Sequence, residues 1–218
     1  MHETPTLYGA SYSVYTRIVR LALLEKGVTY KLAPVDVFAL GGPPKEHLER
    51  HPFGRIPAFE HGSLMLYETS AITRYVDEAF DGPALQPVNL IERARCNQIV
   101  SIADNYAYPD LVWGIYVELV SKPKRGEPTN SARVSSAIDG ARKCLQALES
   151  LTGGTQWLIG PAPTLADLYA APMFAYFLQS SQGRDMLRGY PRLSAWWSCM
   201  TTRQSVIDTE PMQTAATG

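Results

Sequence analysis

Ser13 stands directly before a run in which Val14, Ile18, Leu21, Ala22 and Leu24 recur at helical spacing, up to a stop at Gly27. A hydroxyl and the unpaired first N–H groups of a helix would then converge on one point, and together they stabilise a negative charge. Capping alone would also explain a serine there, and Ser11 sits only two residues earlier in the same loop. The second stretch with chemical potential is 51–75, HPFGRIPAFEHGSLMLYETSAITRY. Phe53-Gly54-Arg55-Ile56-Pro57 reads as a turn whose proline cannot donate to a ladder, yet strand-like residues follow at once. A proline in that place is often cis. Ala58-Phe59-Glu60 and Leu64–Tyr67 flank a short link through Gly62. Glu68-Thr69-Ser70 then opens a helix through Ile72, Tyr75, Val76 and Ala79, with Thr69 or Ser70 expected to supply the capping hydroxyl. Unpaired backbone beside a helix N-terminus suits a small anionic peptide.

The elements that must position these residues follow the same patterns. Residues 6–10 form a short apolar strand and 14–26 the first helix. Residues 29–37 alternate and are rich in β-branched types, which predicts a second strand parallel to the first across that helix. A Gly-Pro loop, 40–44, leads to a short helix over 45–50. Two strands and a third helix complete a β-α-β, β-β-α order that ends near Phe80. DGPALQPVN, at 81–89, is the Pro-containing boundary. The division expected is 1–82, a linker at 83–89, and an all-helical domain at 90–218. Within that domain a single long helix spans 90–119, and a polar loop leads to a second over 131–151. Pro163-Thr164-Leu165-Ala166-Asp167 starts a third with a capping box, reaching about Gln179. Pro191 precedes a last helix carrying Leu193, Trp196, Trp197 and Met200. The tail from Thr209 is small and polar and is expected to be mobile.

Composition narrows the function classes. With 20 basic and 21 acidic residues among 218, no field recruits nucleic acid or an acidic membrane surface. No apolar run approaches the roughly 20 residues of a membrane span, and the N-terminus has neither the basic start nor the apolar core of a signal peptide. Three widely spaced cysteines, Cys96, Cys144 and Cys199, do not make a disulfide framework. A reduced, cytoplasmic protein is expected. His47 and His51 superficially suggest a zincin, but that motif needs Glu directly after the first His, where this chain has Leu48. No metal site is expected.

HPFGRIPAF resembles the Asn-Pro-x-Gly-x-Val-Pro turn, with its cis-proline, of the glutathione S-transferases, and LYETSAITRY resembles their Leu-x-Glu-Ser-x-Ala-Ile-x-x-Tyr. The order and spacing of the two make the resemblance specific, and it extends over essentially the whole chain. It implies a thioredoxin-like α/β domain followed by an all-α domain. Ser13-Val14-Tyr15-Thr16-Arg17 is similar to the Ser-x-x-Thr-Arg segment of serine-type members, phi-like and related bacterial ones, in which the serine faces the glutathione sulfur. Ser13 is thereby the catalytic candidate and Ser11 the alternative. Tyr8 and Tyr12 come next, because some branches use a tyrosine near this end. No cysteine occurs in the first domain, which disfavours the branches that form a mixed disulfide.

Further roles are implied by the same resemblance. Glu68 would pair with the γ-glutamyl ammonium, and the Thr69 hydroxyl and N–H would take the α-carboxylate. Ile56, before Pro57, would pair its backbone with the cysteinyl amide. Where phi-type members place a His-Lys pair for the glycyl carboxylate, this chain has Gly42 and Pro43, so Lys45 or Arg55 would substitute. Tyr12, Tyr106, Tyr108, Pro109 and Trp113 are the candidates to wall a pocket for a small hydrophobic electrophile, although aromatics at helical spacing are more often core. The activity implied is attack of glutathione thiolate on an electrophilic carbon or a peroxide. Glutathione is a cosubstrate and no bound cofactor is called for. A homodimer and a detoxifying role are expected from the family alone. Two alternatives remain: a ligand carrier that keeps the fold without catalysis, or a glutathione-dependent isomerase or lyase of one metabolite.

Overall fold

A computed structural model describes residues 3–211. They divide into two compact units: Leu85–Arg203, and the other described residues, 3–84 together with 204–211.

The first unit is built on a four-stranded mixed sheet in the order β2-β1-β3-β4. The strands are β1 (Thr6–Tyr8), β2 (Lys31–Ala33), β3 (Ala58–His61) and β4 (Leu64–Tyr67). β1 runs parallel to β2, as expected for a crossover through a helix, and antiparallel to β3, which pairs with β4 as a hairpin. β2 is much shorter than its alternating pattern suggested. Pro34 follows it, and the Asp36 carboxylate accepts from the Phe38 N–H (2.9 Å), turning the chain off the ladder. The helices are α1 (Val14–Glu25), α2 (Lys45–Arg50) and α3 (Thr69–Ala79). α1 and α3 pack on each other and contribute the fully buried Ile18, Leu21, Ile72 and Val76 beside Leu7 and Phe59 of the sheet. This is the thioredoxin-like arrangement.

The second unit is helical throughout. After α4 (Leu90–Ile102) the chain does not continue as the expected α-helix to 119 but widens into a π-helical segment, Ala103–Ser121. Its register survives to the end, where the Lys122 N–H reaches the Val117 carbonyl five residues back. Pro109 lies inside it; in an α-helix its ring would collide with the carbonyl four residues earlier. A one-turn helix, α5 (Lys122–Lys124), precedes α6 (Ser131–Leu151), α7 (Leu165–Phe177), α8 (Ser181–Leu187) and α9 (Pro191–Met200). The capping box at Thr164 and Asp167 forms as read from the sequence. Asp167 goes further: fully buried, it also accepts from the Leu158 N–H and the Trp196 indole N–H, each at 2.9 Å. No helix among the described residues is long and apolar enough to cross a membrane.

A short helix, α10 (Gln204–Asp208), belongs to the first unit although it lies near the end of the chain. The expected assignment of everything after 90 to the helical domain is corrected here, and Thr209, where the expected mobile tail begins, is part of the packed structure. Arg17, buried on α1, donates to the Thr209 hydroxyl (3.1 Å) and the Val206 carbonyl (2.9 Å), while Arg20 donates to the carbonyls of Asp208 and Thr209. Thr209 itself is fully buried. Most of the small polar tail, 212–218, lies outside the described residues.

Candidate active site

Strand register brings the sequence candidates to one end of the sheet. Tyr8, the last residue of β1, pairs with Ala58, the first of β3, and Ala58 pairs on its other side with Tyr67, the last of β4. The loop to α1, the turn before β3 and the start of α3 therefore leave the sheet side by side.

On the first of these, Ser13 is the N-cap of α1. Its φ and ψ are extended and its Oγ accepts from the Thr16 N–H at 3.3 Å. Ser11 lies exposed in the preceding turn and does not cap. The loop is held close to the helix by Gly9, where any side chain would overlap that of the buried Thr16. The hydroxyl proton of Ser13 has no acceptor among the described residues, so it remains available to a ligand anion. Tyr8 is not available. Its phenol donates to Glu60 at 2.6 Å and Arg50 lies over its ring at 4.3 Å. The bond to Glu60, then burial, push its pKa above the usual phenol value. Tyr12 is half-exposed and donates to Asp36 at 2.7 Å.

On the second element, Ile56–Pro57 is a cis bond. Neither the N–H nor the carbonyl of Ile56 has a protein partner among the described residues, so one residue's worth of strand edge is open. Arg55 is exposed, but its carbonyl accepts from the His47 imidazole at 2.6 Å. Nothing in the sequence around His47 marks this bond; its spacing from His51 suggests only a metal ligand. No group of three metal-ligating side chains occurs among the described residues. His51, one turn later, is buried against the Tyr67 ring with centroids 5.0 Å apart. Burial lowers its pKa against the opposing pull of Glu68.

On the third element the expected hydroxyl cap is absent. The N-cap of α3 is Glu68, which makes no side-chain capping bond, and Thr69 is already helical. Glu68 adopts φ 71°, ψ 114°, a left-handed backbone that costs a non-glycine residue of order 1–3 kcal/mol and clusters at functional sites. This conformation leaves the Glu68 side chain exposed and the N–H groups of Thr69 and Ser70 without a protein acceptor among the described residues. Unpaired N–H groups at a helix start with a carboxylate beside them suit a ligand end that carries both charges. Lys45, exposed at the first position of α2, has no ion pair among the described residues.

The electrophile candidates of the second unit lie on the π-helical segment. Tyr106 is exposed, Pro109 lies within the continuous helix, and Tyr108 meets Trp113 edge-on at 6.4 Å. Tyr116, half-buried, lies tilted against the Tyr176 ring with centroids 4.5 Å apart.

Comparison with known proteins decides the family. Residues 7–84 match the glutathione S-transferase N-terminal domain and residues 131–196 the C-terminal domain. The chain is 31% identical over 199 residues to glutathione S-transferase F11 of Arabidopsis thaliana, covering 90% of this chain and 92% of that protein. The chain belongs to the glutathione S-transferase family. Glutathione S-transferase F13 of the same plant is 29% identical over 212 residues, 96% of each chain. Among solved structures, glutathione S-transferase I from mais, in complex with an atrazine glutathione conjugate, superposes with a TM-score of 0.83 at 29% identity, over 95% of this chain and 96% of that one. Such family members share the architecture found here, a thioredoxin-like unit and a helical unit.

Proposed function

We propose that the first unit binds glutathione as an added strand and that Ser13 stabilises its thiolate for attack on a small hydrophobic electrophile. The observation that carries this reading is that three sets of polar groups without a protein partner among the described residues lie at one end of the sheet: the Ser13 hydroxyl, the Ile56 backbone, and the Thr69–Ser70 N–H groups beside Glu68. Glu68 takes the γ-glutamyl ammonium, Thr69 the α-carboxylate, Ile56 with Pro57 the cysteinyl segment, and Lys45 or Arg55 the glycyl carboxylate. For the electrophile, the candidates in the second unit are Tyr106, Tyr108, Pro109 and Trp113, and in the first Tyr12. In the reaction the thiol proton leaves to solvent, the sulfur–carbon bond forms, and a leaving group such as halide departs with its electron pair.

A cytoplasmic homodimer with a detoxifying role fits this reading. The small number and wide spacing of the cysteines support the compartment, and the exposed apolar side chains Leu48, Phe53, Met65 and Tyr67 support self-association. Neither nucleic acid nor membrane is a partner on the balanced charge. Retention on immobilised glutathione together with turnover of an aryl halide tests the proposal. Retention without turnover of aryl halides, isothiocyanates, hydroperoxides or β-aryl ethers would favour the carrier, and turnover of one metabolite alone the isomerase or lyase.

A further inference from the structure

α2 has six residues and His47 is the one it buries, 1% exposed. An imidazole is a poor choice for a sole anchor, because its nitrogens must be satisfied once water is excluded. Only one of them is. Nε2 meets the Arg55 carbonyl at 2.6 Å, whereas Nδ1 is buried with no partner among the described residues. A carbonyl oxygen can only accept, so Nε2 carries a proton and is the donor. The same arrangement would be reached at less cost by an apolar side chain if filling space were the task.

The bonded carbonyl belongs to the peptide unit that also contains the Ile56 N–H. That unit is planar and trans, the cis bond being the next one, so its C=O and N–H point in opposite directions and move together. Fixing the Arg55 oxygen from the α2 side fixes the direction of the Ile56 N–H on the other. We propose that His47 is a positioning residue for glutathione: through the Arg55–Ile56 peptide plane it aims the N–H that receives the cysteinyl carbonyl. This rests on the reading of Ile56 given above. His47 touches no reacting atom, and its effect is on binding that is equal in the ground state and the transition state.

The test compares His47→Leu, which keeps the volume without the donor, with His47→Gln, whose amide N–H reaches in the same direction. His47→Leu should raise the KM for glutathione about three- to tenfold, with kcat at saturating glutathione within about twofold and the electrophile KM unchanged. His47→Gln should restore most of the loss. A merely structural histidine would instead lower Tm and kcat for both variants alike. Glu68→Gln is the control on the underlying reading. If it raises the glutathione KM and His47→Leu does not, the site stands and the positioning role falls; if neither does, the assignment of the site falls with it. Should His47→Leu fail to fold, nuclear magnetic resonance on the unaltered chain decides. The His47 proton should be on Nε2 and slow to exchange, and the Ile56 amide should shift on adding glutathione. An Nε2 without a proton, or an unmoved Ile56 amide, overturns the proposal.

Discussion

Replacing Ser13 by alanine separates two contributions that are easily confused, thiolate population and rate. The Ser13 Oγ accepts from Thr16 at 3.3 Å, a long cap bond that leaves the hydroxyl proton free to donate to sulfur. A hydrogen bond to a charged acceptor contributes about 1.5–3 kcal/mol, and a helix N-terminus about 0.3–2. Together they can lower a thiol from about 8.5 to about 6.5, so that roughly three-quarters of bound glutathione is thiolate at pH 7. Losing about 2 kcal/mol of that in Ser13→Ala moves the thiol to about 8.0 and leaves roughly a tenth as thiolate, about an eightfold fall. Each remaining thiolate is more basic, and a Brønsted slope near 0.45 makes it about fivefold more nucleophilic. The net rate loss at pH 7 is then only about twofold. Loss of so long a cap lies at the low end of about 0.5–2 kcal/mol, which is about 1–2 °C in Tm for a chain this size. The assay is ultraviolet thiolate absorbance alongside kcat on an aryl halide. An unchanged thiolate signal refutes the role of Ser13, and a signal lost in Ser11→Ala instead reassigns it. A rate loss of about a hundredfold with the predicted fall in thiolate refutes the arithmetic and makes the hydroxyl a positioning group.

Lys45→Ala should raise the glutathione KM about two- to fivefold, the range of an exposed charge pair, with kcat nearly unchanged; no effect in steady-state kinetics transfers the glycyl role to Arg55 or to water. Asp167→Ala should cost about 3–5 kcal/mol, because it strands the buried N–H groups of Leu158, Thr164 and Trp196. That corresponds to roughly 6–20 °C in calorimetric Tm, and a loss under about 1 kcal/mol would contradict the network's role. Of the three cysteines, only Cys199 should react with a thiol reagent in the native chain. Cys96 and Cys144 are buried, and burial, then Asp110, push the Cys144 thiol up to about 12. Peptide mapping after labelling checks this, and native labelling at Cys144 would show that α6 opens.

How much of this was legible depended on the range of the interaction. The Ser13 cap, the Pro57 turn, the Gly62 link and the Thr164–Asp167 box are made by residues within a few positions of one another, so spacing alone located them. The capping of α3 was misread because the pattern rewards a hydroxyl at Thr69, while the chain instead gives Glu68 a left-handed backbone for which sequence has no mark. The π-helical segment was read as α because apolar residues are dense on every side of it and one proline does not announce a change of register. The return of α10 rests on Arg17 and Arg20 meeting carbonyls some 190 positions away. The bond from His47 to Arg55 joins near neighbours, yet only the closed turn shows that this nitrogen meets a carbonyl and not a metal.

The central claim is that glutathione is held as a thiolate by the first unit. The direct measurement is titration of the unaltered chain with glutathione across about pH 5.5–9, followed by thiolate absorbance. The account predicts a saturable signal whose midpoint lies well below the free-thiol value of about 8.5, near about 6.5. Saturable binding with the midpoint still near about 8.5 would show a protein that carries glutathione without activating it, and would contradict the account.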